Sequence, residues 1–350
     1  MSAARGGRTP KVVTFGEIML RLSPPGFERL FQSPVLSATF GGGEANVAVS
    51  LAHFGLDSHY VTRVPSHAVG DAAIRALRAE GVHTGGIVRG GDRLGIYFAE
   101  AGASQRASAV IYDRARSSVS ELAPGMIDWQ RALDGATWLH VTGITPALGP
   151  RVAAATGEAV AAARAAGATV SVDLNYRRTL WSEAEARETM RALVRGVDVV
   201  MANEEDIQAS LGIDVPDADV SAARVRAAAY RDVARSVADD FAVRVVAMTL
   251  RESISASDNG WSAALWEAAS GSFHESQRYD VRVVDRIGGG DSFAAGLIYG
   301  LSTGRSAEAS LRFAVAASAL KQTIPGDFNR VTVAEVERLA AGDASGRVQR

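Results

Sequence analysis

The second half of the chain alternates regularly between strand and helix patterns, and this alternation constrains the fold more than any other feature. Short β-branched strand patterns occupy residues 138–144, 169–175, 197–203 and 243–250, with helical patterns between them. Strands joined through helices run parallel, with right-handed crossovers and helices on both faces of the sheet. We therefore expect an α/β protein with three layers around a central, mostly parallel sheet.

Two stretches, at about 17–40 and 92–116, do not follow this alternation. They contain short strand patterns between polar and proline-containing segments. We expect them to form a small separate β-sheet, a lid on the main domain. No Pro/Gly/Ser-rich linker divides the chain, so one large domain is expected over about 11–340, with a disordered leader at 1–10 and a tail at 341–350.

The stretch from Val284 to Gly296 is the most informative for chemistry. A strand pattern ends there, and Gly288, Gly289 and Gly290 precede Asp291, which opens a helix of small residues. Backbone N–H groups of successive glycines and a helix N-terminus can bind an anion without a lysine. A carboxylate at this place suits a base beside a transferring phosphoryl group, and the helix N-terminus is expected to keep it ionised. A turn followed by an Asp cap explains the same residues.

Three further stretches combine polar residues with predicted element ends. Asn46 follows three glycines on the first turn of a helix, where a ligand could approach closely, although a plain accessible turn also fits. Arg177 follows a strand end, where it could bind a carboxylate or phosphate or simply pair with an acid on the surface. Asn203 and Asp206 also follow a strand and could organise Mg²⁺ through water, or merely cap a helix.

Composition excludes several kinds of site. The chain has no cysteine, so disulfides, thiolate nucleophiles and cysteine zinc sites are excluded. Lys11 and Lys321 are the only lysines, and neither lies in a Walker-A loop. A net charge of −2 without basic blocks gives no sign of nucleic-acid or membrane partners. No apolar run is long enough for a membrane span, and the leader lacks a signal-peptide core, so cytoplasmic residence is expected.

Other enzyme classes fit the sequence less well. Residues 300–304 match the G-x-S-x-G pattern of hydrolases, but they end the helix that Asp291 opens instead of following a strand. The six histidines include no i, i+4 pair and no H-E-x-x-H motif of a metallohydrolase. No G-x-G-x-x-G follows the first strand, as a dinucleotide oxidoreductase would require.

Two glycine-containing stretches, GGGEANVAVSLAHFG and DRIGGGDSFAAGLIYG, resemble the two signatures of the ribokinase-like PfkB family of carbohydrate kinases. The resemblance covers about residues 11–340. The segments WLHVTGITPAL, DLNYRRTLW, NEED, TLRES and IPGDFN are similar to the branch that acts on 2-keto-3-deoxygluconate. The resemblance implies a ribokinase-like fold and transfer of phosphate from ATP, with Mg²⁺, to the 6-hydroxyl of that sugar acid. A homodimer or higher homo-oligomer formed through the lid is also implied.

The resemblance also implies roles for individual residues. Asp291 would be the catalytic base, with Gly288, Gly289 and Gly290 as the anion hole. The substrate would be contacted by Gly42, Asn46, Tyr97, Tyr112, Arg114, Arg177 and Asp327. Asn203, Thr249 and Arg251 would bind the nucleotide, together with Gly288 and Gly290, and Asp206 would hold the metal through water.

Departures from the family pattern leave alternatives open. The signature D-T-T-G-A-G-D reads Asp285-Arg286-Ile287-Gly288-Gly289-Gly290-Asp291 here, which keeps the anion hole but replaces both threonines. The usual K-x-G-x-x-G nucleotide loop is replaced around 249–253, and the family's N-x-x-E ends in an aspartate. A fructokinase or another sugar kinase is the alternative within the family. A non-catalytic sugar sensor on the same fold is the alternative of a different class.

Overall fold

The computed structural model describes residues 9–215, 223–343 and 346. The strands are β1 Lys11–Phe15, β2 Met19–Ser23, β3 Ser37–Gly41, β4 Asp57–Val64, β5 His83–Arg89, β6 Gly95–Glu100, β7 Ala109–Asp113, β8 Trp138–Thr142, β9 Thr169–Asp173, β10 Val199–Ala202, β11 Val245–Ser253, β12 Asp258–Glu267, β13 Ser272–Glu275 and β14 Tyr279–Arg282. The helices are α1 Gly43–His53, α2 Ala68–Ala79, α3 Trp129–Ala132, α4 Pro150–Ala165, α5 Glu183–Val194, α6 Glu204–Leu211, α7 Ala223–Phe241, α8 Gly289–Ser302, α9 Ala307–Lys321 and α10 Val333–Ala340.

The large sheet has the order β13-β12-β11-β10-β9-β8-β1-β4-β5, and β14 also pairs with β12. Along this order, every pairing between β11 and β5 is parallel. Strand β12 pairs antiparallel with β11, β13 and β14. The predicted mostly parallel sheet is thus confirmed. Because parallel strands need crossover connections, the intervening helices cover both faces of this sheet.

A separate four-stranded sheet has the order β3-β2-β6-β7. Its strands come from Met19–Gly41 and Gly95–Asp113, inside the two stretches where a small sheet is expected. Strand β7 lies at the edge of this sheet, and all five of its residues are exposed. The predicted second, smaller sheet is confirmed.

Two apolar cores lie on opposite faces of the large sheet. Consecutive strand residues point to opposite faces, so Val13 belongs to one core and Val12 to the other, as do Val200 and Val199. Helices α4, α5 and α7 supply the first core, and α1, α8 and α9 supply the second. Strands buried on both faces explain the near-continuous β-branched runs in the sequence.

The structure also contains elements that the sequence pattern does not predict. Strand β5 includes Gly85 and Gly86 and lies at one edge of the large sheet, and the four-residue β13 lies at the other. Glycine-rich or very short edge strands carry little hydrophobic periodicity, which is why they were missed. The helical pattern before the strand at 243–250 begins at Val220 in the sequence, which lies outside the described residues, and helix α7 is described from Ala223.

The same holds for most of the predicted leader and tail, since residues 1–8, 344–345 and 347–350 are outside the described part of the chain. The G-x-S-x-G stretch is the last turn of α8 and its C-terminal turn, not a strand–helix elbow. Across the described residues, no helix combines the length and the apolar character that a membrane crossing requires.

Candidate active site

A cavity of about 630 Å³ lies between the large and the small sheet. Strands β8, β9 and β10 end at Thr142, Asp173 and Ala202, and the cavity opens just beyond these ends. The carboxyl ends of parallel strands are where open α/β sheets bind ligands. Tyr97 and Tyr112 of the small sheet line the opposite wall.

The structure brings all of the sequence-predicted site residues together in this cavity. They come from segments up to about 285 positions apart in the chain: Gly42, Asn46, Tyr97, Tyr112, Arg114, Arg177, Asn203, Asp206, Thr249, Arg251, Gly288, Gly289, Gly290, Asp291 and Asp327. Their individual roles stay predictions, but they belong to a single site.

In the glycine loop before α8, the backbone at Gly288 leaves no room for a side chain. This residue has a φ of 85°, and a Cβ there would lie 2.3 Å from the carbonyl oxygen of Asp327. The Gly289 N–H donates to the carbonyl of Arg286 at 3.2 Å, so it is already used. Since the first N–H groups of a helix lack helical partners, those of Gly290 and Asp291 are the donors left for an anion.

Asp291 lies on the first turn of α8 and is partly accessible from the cavity. Asn46 Nδ2 donates to its Oδ2 at 2.6 Å. Burial raises the pKa of Asp291 to about 7, and the nearby Asp327 and Glu44 act in the same direction against Asn46 and Arg177. With a pKa of about 7, about half of the Asp291 carboxyl groups are ionised at neutral pH, so desolvation opposes the ionisation expected from the helix N-terminus.

Asn46 is held in place from two sides. It is 2% exposed, and its Oδ1 accepts from the Gly42 N–H at 3.2 Å while its Nδ2 faces Asp291. A Cβ on Gly42 would lie 2.0 Å from the carbonyl oxygen of Glu17, so only glycine permits this close approach. The amide of Asn46 is thus aimed at Asp291 before any substrate arrives.

Glu44, next to this pair, is a buried carboxyl that sequence reasoning missed. Its Oε1 accepts from the Thr142 N–H at 2.9 Å, from Thr142 Oγ1 at 2.8 Å and from Thr145 Oγ1 at 2.6 Å. Burial raises its pKa, although these donors oppose the shift. The contacts tie the first turn of α1 to the end of β8, which fixes the position of Asn46 two residues later.

A network of charged residues links the small sheet to the glycine loop. Arg21 on β2 donates to Asp285 at 2.6 Å and to Asp327 at 2.7 Å, and Tyr97 Oη donates to Asp327 at 2.6 Å. Burial opposes the charge of Arg21, but the two carboxylates raise its pKa above the ordinary value. The Ile287 N–H donates to Asp285 at 3.1 Å, so the same ion pair also shapes the loop.

Arg21 could not be recognised from the sequence, because it stands in an ordinary alternating strand pattern more than 260 residues from its partners. Lys321 was also missed as a site neighbour. It is fully buried at the end of α9, and its Nζ donates to the carbonyls of Asp285 and Ile324, both at 3.2 Å. Burial lowers its pKa. Its ammonium group holds the backbone on either side of the glycine loop.

Arg177 follows β9 and faces three carboxyl groups. Its positive charge lowers the pKa of Asp173, Asp206 and Asp291, against the larger effect of burial on each. Among the described residues, the only hydrogen bond of the Arg177 side chain is to the carbonyl of Tyr176 at 2.8 Å, and the guanidinium forms no ion pair within 4 Å. The guanidinium therefore keeps donors for a ligand.

The turn before Arg177 is strained. Asn175 has a φ of 38°, and its Oδ1 is buried without a partner within the described structure. Such backbone conformations in non-glycine residues cluster at functional sites. The turn aims both side chains into the cavity.

Asn203 and Asp206 form a capping box at the start of α6. Asn203 Oδ1 accepts from the Asp206 N–H at 2.9 Å, and Asp206 Oδ2 accepts from the Asn203 N–H at 3.3 Å. Asp206 Oδ1 also accepts from the Tyr176 N–H at 2.9 Å. Burial raises the pKa of Asp206 to about 6. The capping interpretation of this pair is correct, and both side chains also line the cavity.

The wall near Thr249 and Arg251 contains buried polar atoms without partners in the described structure. They are both amide atoms of Asn259, Trp261 Nε1, Arg286 Nε and Gln322 Nε2, and all four residues line the cavity. Buried polar groups are normally hydrogen-bonded, so a set of orphans on one wall points to a ligand that supplies the missing partners. Sequence reasoning named Thr249 and Arg251 but not these four.

Tyr112 and Arg114 lie on or just after β7. Arg114 forms a buried ion pair with Glu17, and Ser117 Oγ donates to the same carboxylate at 2.5 Å. The Arg114 guanidinium lies over the Tyr112 ring, 5.4 Å from its centre, and the Tyr112 and Tyr97 ring centres are 5.9 Å apart. Arg114 is thus paired, unlike Arg177, and supports the two tyrosines of this wall.

Comparisons with known proteins agree with this geometry. The family described as pfkB family carbohydrate kinase matches residues 9–330. The chain is similar to the crystal structure of a 2-dehydro-3-deoxygluconokinase from Thermotoga maritima, with 50% identity and a TM-score of 0.91, covering 95% of this chain and 100% of that one.

Two curated relatives extend the similarity over nearly the whole chain. A 2-dehydro-3-deoxygalactonokinase of Haloferax volcanii is 35% identical over 340 residues, which is 97% of this chain and 99% of the relative. A 2-dehydro-3-deoxygluconokinase of Bacillus subtilis is 28% identical, covering 92% of this chain and 93% of the relative.

Proposed function

The chain belongs to the pfkB family of carbohydrate kinases, and on that basis we propose that it phosphorylates 2-keto-3-deoxygluconate at its 6-hydroxyl, with ATP as donor. This sugar acid is the 2-dehydro-3-deoxygluconate in the names of two similar proteins. The 50% identity to the Thermotoga maritima kinase supports the substrate, and the resemblance seen in the sequence motifs agrees with it.

The observation that carries the kinase chemistry is Asp291, placed on the first turn of α8 with Asn46 donating to it. A carboxylate with a pKa of about 7 can accept a proton from a substrate hydroxyl near neutral pH. The hydroxyl oxygen forms the new bond to the γ-phosphorus of ATP, and the bond to the oxygen of the departing ADP breaks. The proton passes to Asp291.

The N–H groups of Gly290 and Asp291 face the negative charge of the transferring group. They are fixed by the helix and by the loop that Arg21, Asp285 and Lys321 hold, so they need no rearrangement during the reaction. Preorganised donors of this kind supply most of the catalysis in phosphoryl transfer, together with positioning.

Arg177 is the residue that supports an acidic sugar as substrate. Its guanidinium forms no ion pair among the described residues. It is close enough to Asp291 for its positive charge to lower the pKa of that carboxyl group. A planar guanidinium binds a carboxylate with two parallel hydrogen bonds. Tyr97 and Tyr112 would cover the sugar from the other wall, with Gly42, Asn46 and Asp327 near its hydroxyls.

The galactonate epimer is a second candidate substrate. It is favoured by the 35% identity to the Haloferax volcanii kinase, which covers almost the full length of both chains. The two sugar acids differ in one hydroxyl configuration, so the same base, anion hole and arginine would serve either.

The nucleotide and its metal fit the wall beside Arg251. Asn259, Trp261, Arg286 and Gln322 supply unpaired donors and acceptors for ATP. Each carboxylate oxygen of Asp206 already accepts a hydrogen bond from a backbone N–H. Asp206 is therefore better suited to bind a water molecule of the metal ion than to coordinate the ion directly. When bound, Mg²⁺ neutralises charge on the phosphates. Asn203, Thr249 and the glycine loop would contact the phosphates.

We also propose that the small sheet acts as a lid and as the contact in a homodimer. Val110, Ile111 and Tyr112 on β7 are 39%, 55% and 42% exposed, and Phe31 nearby is 71% exposed. An apolar exposed edge of this kind marks an interaction surface. The single domain over about 11–340 and a cytoplasmic location stay predictions.

The dimer is tested by Ile111→Asp, which should convert a dimer to monomer in sedimentation velocity. Ile254→Asp is the control, because Ile254 is 65% exposed but lies outside this surface. An unchanged sedimentation coefficient for both variants contradicts the proposed contact.

The substrate proposal is tested by coupled ATP consumption with both keto-deoxy acids, fructose, ribose and nucleosides. We expect kcat/KM for one keto-deoxy acid to be at least about tenfold above kcat/KM for every neutral sugar. This is the difference that one charged hydrogen bond, here from Arg177 to the substrate carboxylate, would produce. Faster turnover of fructose would assign a different sugar kinase. Sugar binding without any turnover would assign a sensor.

A further inference from the structure

A second cavity, of about 320 Å³, lies along the edge of the large sheet. Lys11 and His83 are the first residues of β1 and β5, so the cavity begins at the amino ends of these strands, and it extends along β4 and β5 to Val61 and Val88. Nothing in the proposed kinase mechanism uses it. It is lined by two histidines, His59 and His83, and lies between the sheet edge and α3.

The strand register explains why Asp57, His59 and His83 meet. Side chains two residues apart on a strand share a face, so Asp57 and His59 point the same way. His59 is the register partner of His83 on the parallel neighbour β5, which puts both rings on that face. An irregularity follows directly, since the next pairing is Val61 with Gly86, and such bulges re-aim side chains.

The three side chains converge on a small volume. The imidazole rings are stacked, with centres 4.5 Å apart and planes 22° apart. Asp57 Oδ1 lies 2.8 Å from His59 Nε2 and 3.3 Å from His83 Nε2. One ligand-type atom from each residue lies within 4.8 Å of the others. Ligand atoms around a tetrahedral zinc ion are about 3.4 Å apart, so small side-chain rotations would bring these three atoms to the distances that zinc requires.

We propose that Asp57, His59 and His83 bind a divalent transition-metal ion of the zinc class, which joins the edge strand β5 to β4. Two imidazole nitrogens and one carboxylate select zinc, cobalt, nickel or copper over magnesium or calcium. The cavity leaves a further coordination position for water. Lys11 Nζ donates to the carbonyl of Asp134 at 2.7 Å, which occupies one of its hydrogen-bond donors.

Within the described part of the chain, the edge strand β5 has a neighbouring strand on one side only. β5 is the last strand of the sheet order and pairs only with β4 in the described sheet. A metal ion that binds the folded state alone raises stability by mass action. The ion would therefore stabilise the sheet edge and leave the kinase reaction unchanged.

The test is a titration of the chelator-treated full chain with Co²⁺, followed by visible absorption, and with Zn²⁺, followed by calorimetry. We expect one ion per chain and a rise in Tm with Zn²⁺. His83→Gln should weaken metal binding at least about tenfold. Loss of a hydrogen-bond partner of a metal ligand already lowers metal affinity about tenfold or more, and loss of the ligand itself should cost no less. His83 is 62% exposed, so this variant is expected to fold.

His274→Gln is the matched control, since His274 lies on β13 at the opposite edge of the sheet. It should bind Co²⁺ as the unmodified chain does. Equal Co²⁺ affinity in His83→Gln and the unmodified chain would overturn the proposal. So would the absence of stoichiometric binding, which would leave the three residues as a hydrogen-bonded surface cluster only.

Discussion

Asp291 and Asn46 lie on the first turns of two buried helices, whereas Tyr97 and Tyr112 lie on strands of the small sheet, one of them at an exposed edge. The helix side of the cleft is held by buried contacts such as those of Glu44. The small-sheet side is attached through Arg21 and the hydroxyl of Tyr97. The groups proposed to react therefore lie on buried helices, and the residues proposed to cover the substrate lie on a separately built sheet.

The largest effect is expected on the helix side. Asp291→Asn keeps the shape and removes the base, so kcat should fall about 10²–10⁴-fold while substrate binding is retained. Steady-state kinetics and calorimetry measure the two quantities. Asp280→Asn, a change at a 79% exposed aspartate, is the control and should be neutral. Turnover within a few-fold of normal would remove Asp291 from the role of base.

Arg177 tests whether the helix side also recognises the acid group. Arg177→Ala should raise KM for the keto-deoxy acid about 10–100-fold, the value of a charged hydrogen bond, and leave weak neutral-sugar turnover unchanged. Arg178→Ala is the matched control, since the neighbouring arginine is exposed. Equal loss with acidic and neutral sugars would show that Arg177 positions the site and does not bind the carboxylate.

The pH dependence follows from the pKa of about 7 for Asp291. The base acts when ionised, so kcat/KM should be constant above this pKa and fall about tenfold per pH unit below it. The Asn46 hydrogen bond lowers this pKa, so Asn46→Ala should move the acidic limb to higher pH. A limb that stays in place would mean that another group controls the profile.

The smallest effect is expected on the small sheet. Tyr97→Phe removes the hydrogen bond to Asp327, which should change KM about 3–10-fold with little effect on kcat. Tyr112→Phe is the comparison, because the Tyr112 hydroxyl has no hydrogen-bond partner among the described residues and is part of an exposed side chain. A fall in kcat for Tyr97→Phe as large as that for Asp291→Asn would contradict the division between the two walls.

Much of the site could be predicted from the sequence, because local patterns and family signatures mark it. The glycine loop, the helix that follows it and the strand ends at 173–177 and 203–206 are contiguous in the chain. The two strand ends converge because the carboxyl ends of parallel strands meet at one edge of the sheet. The glycine loop follows β14, which pairs antiparallel with β12, so this rule does not place it. The raised pKa of Asp291 could not be predicted from the sequence, because burial depends on what packs around the carboxyl group.

Other residues could not be found this way. Arg21, Lys321 and Asn259 stand in segments with ordinary strand or helix patterns, and only packing shows that they are buried. Glu44 lies within a signature stretch, but nothing in that stretch shows that its carboxyl group is buried. The same applies to His59 and His83, whose spacing matches no metal motif along the chain. Their proximity comes from the register between two strands.

The layered α/β fold, the small second sheet and the position of the glycine loop can be derived from the sequence, because hydrophobic periodicity and glycine positions are local. Which charged groups are buried, which are paired and in which direction their pKa values shift is visible only in the folded chain. These properties arise between residues distant in the chain, such as Arg21 and Asp327, and desolvation exists only once the chain has packed.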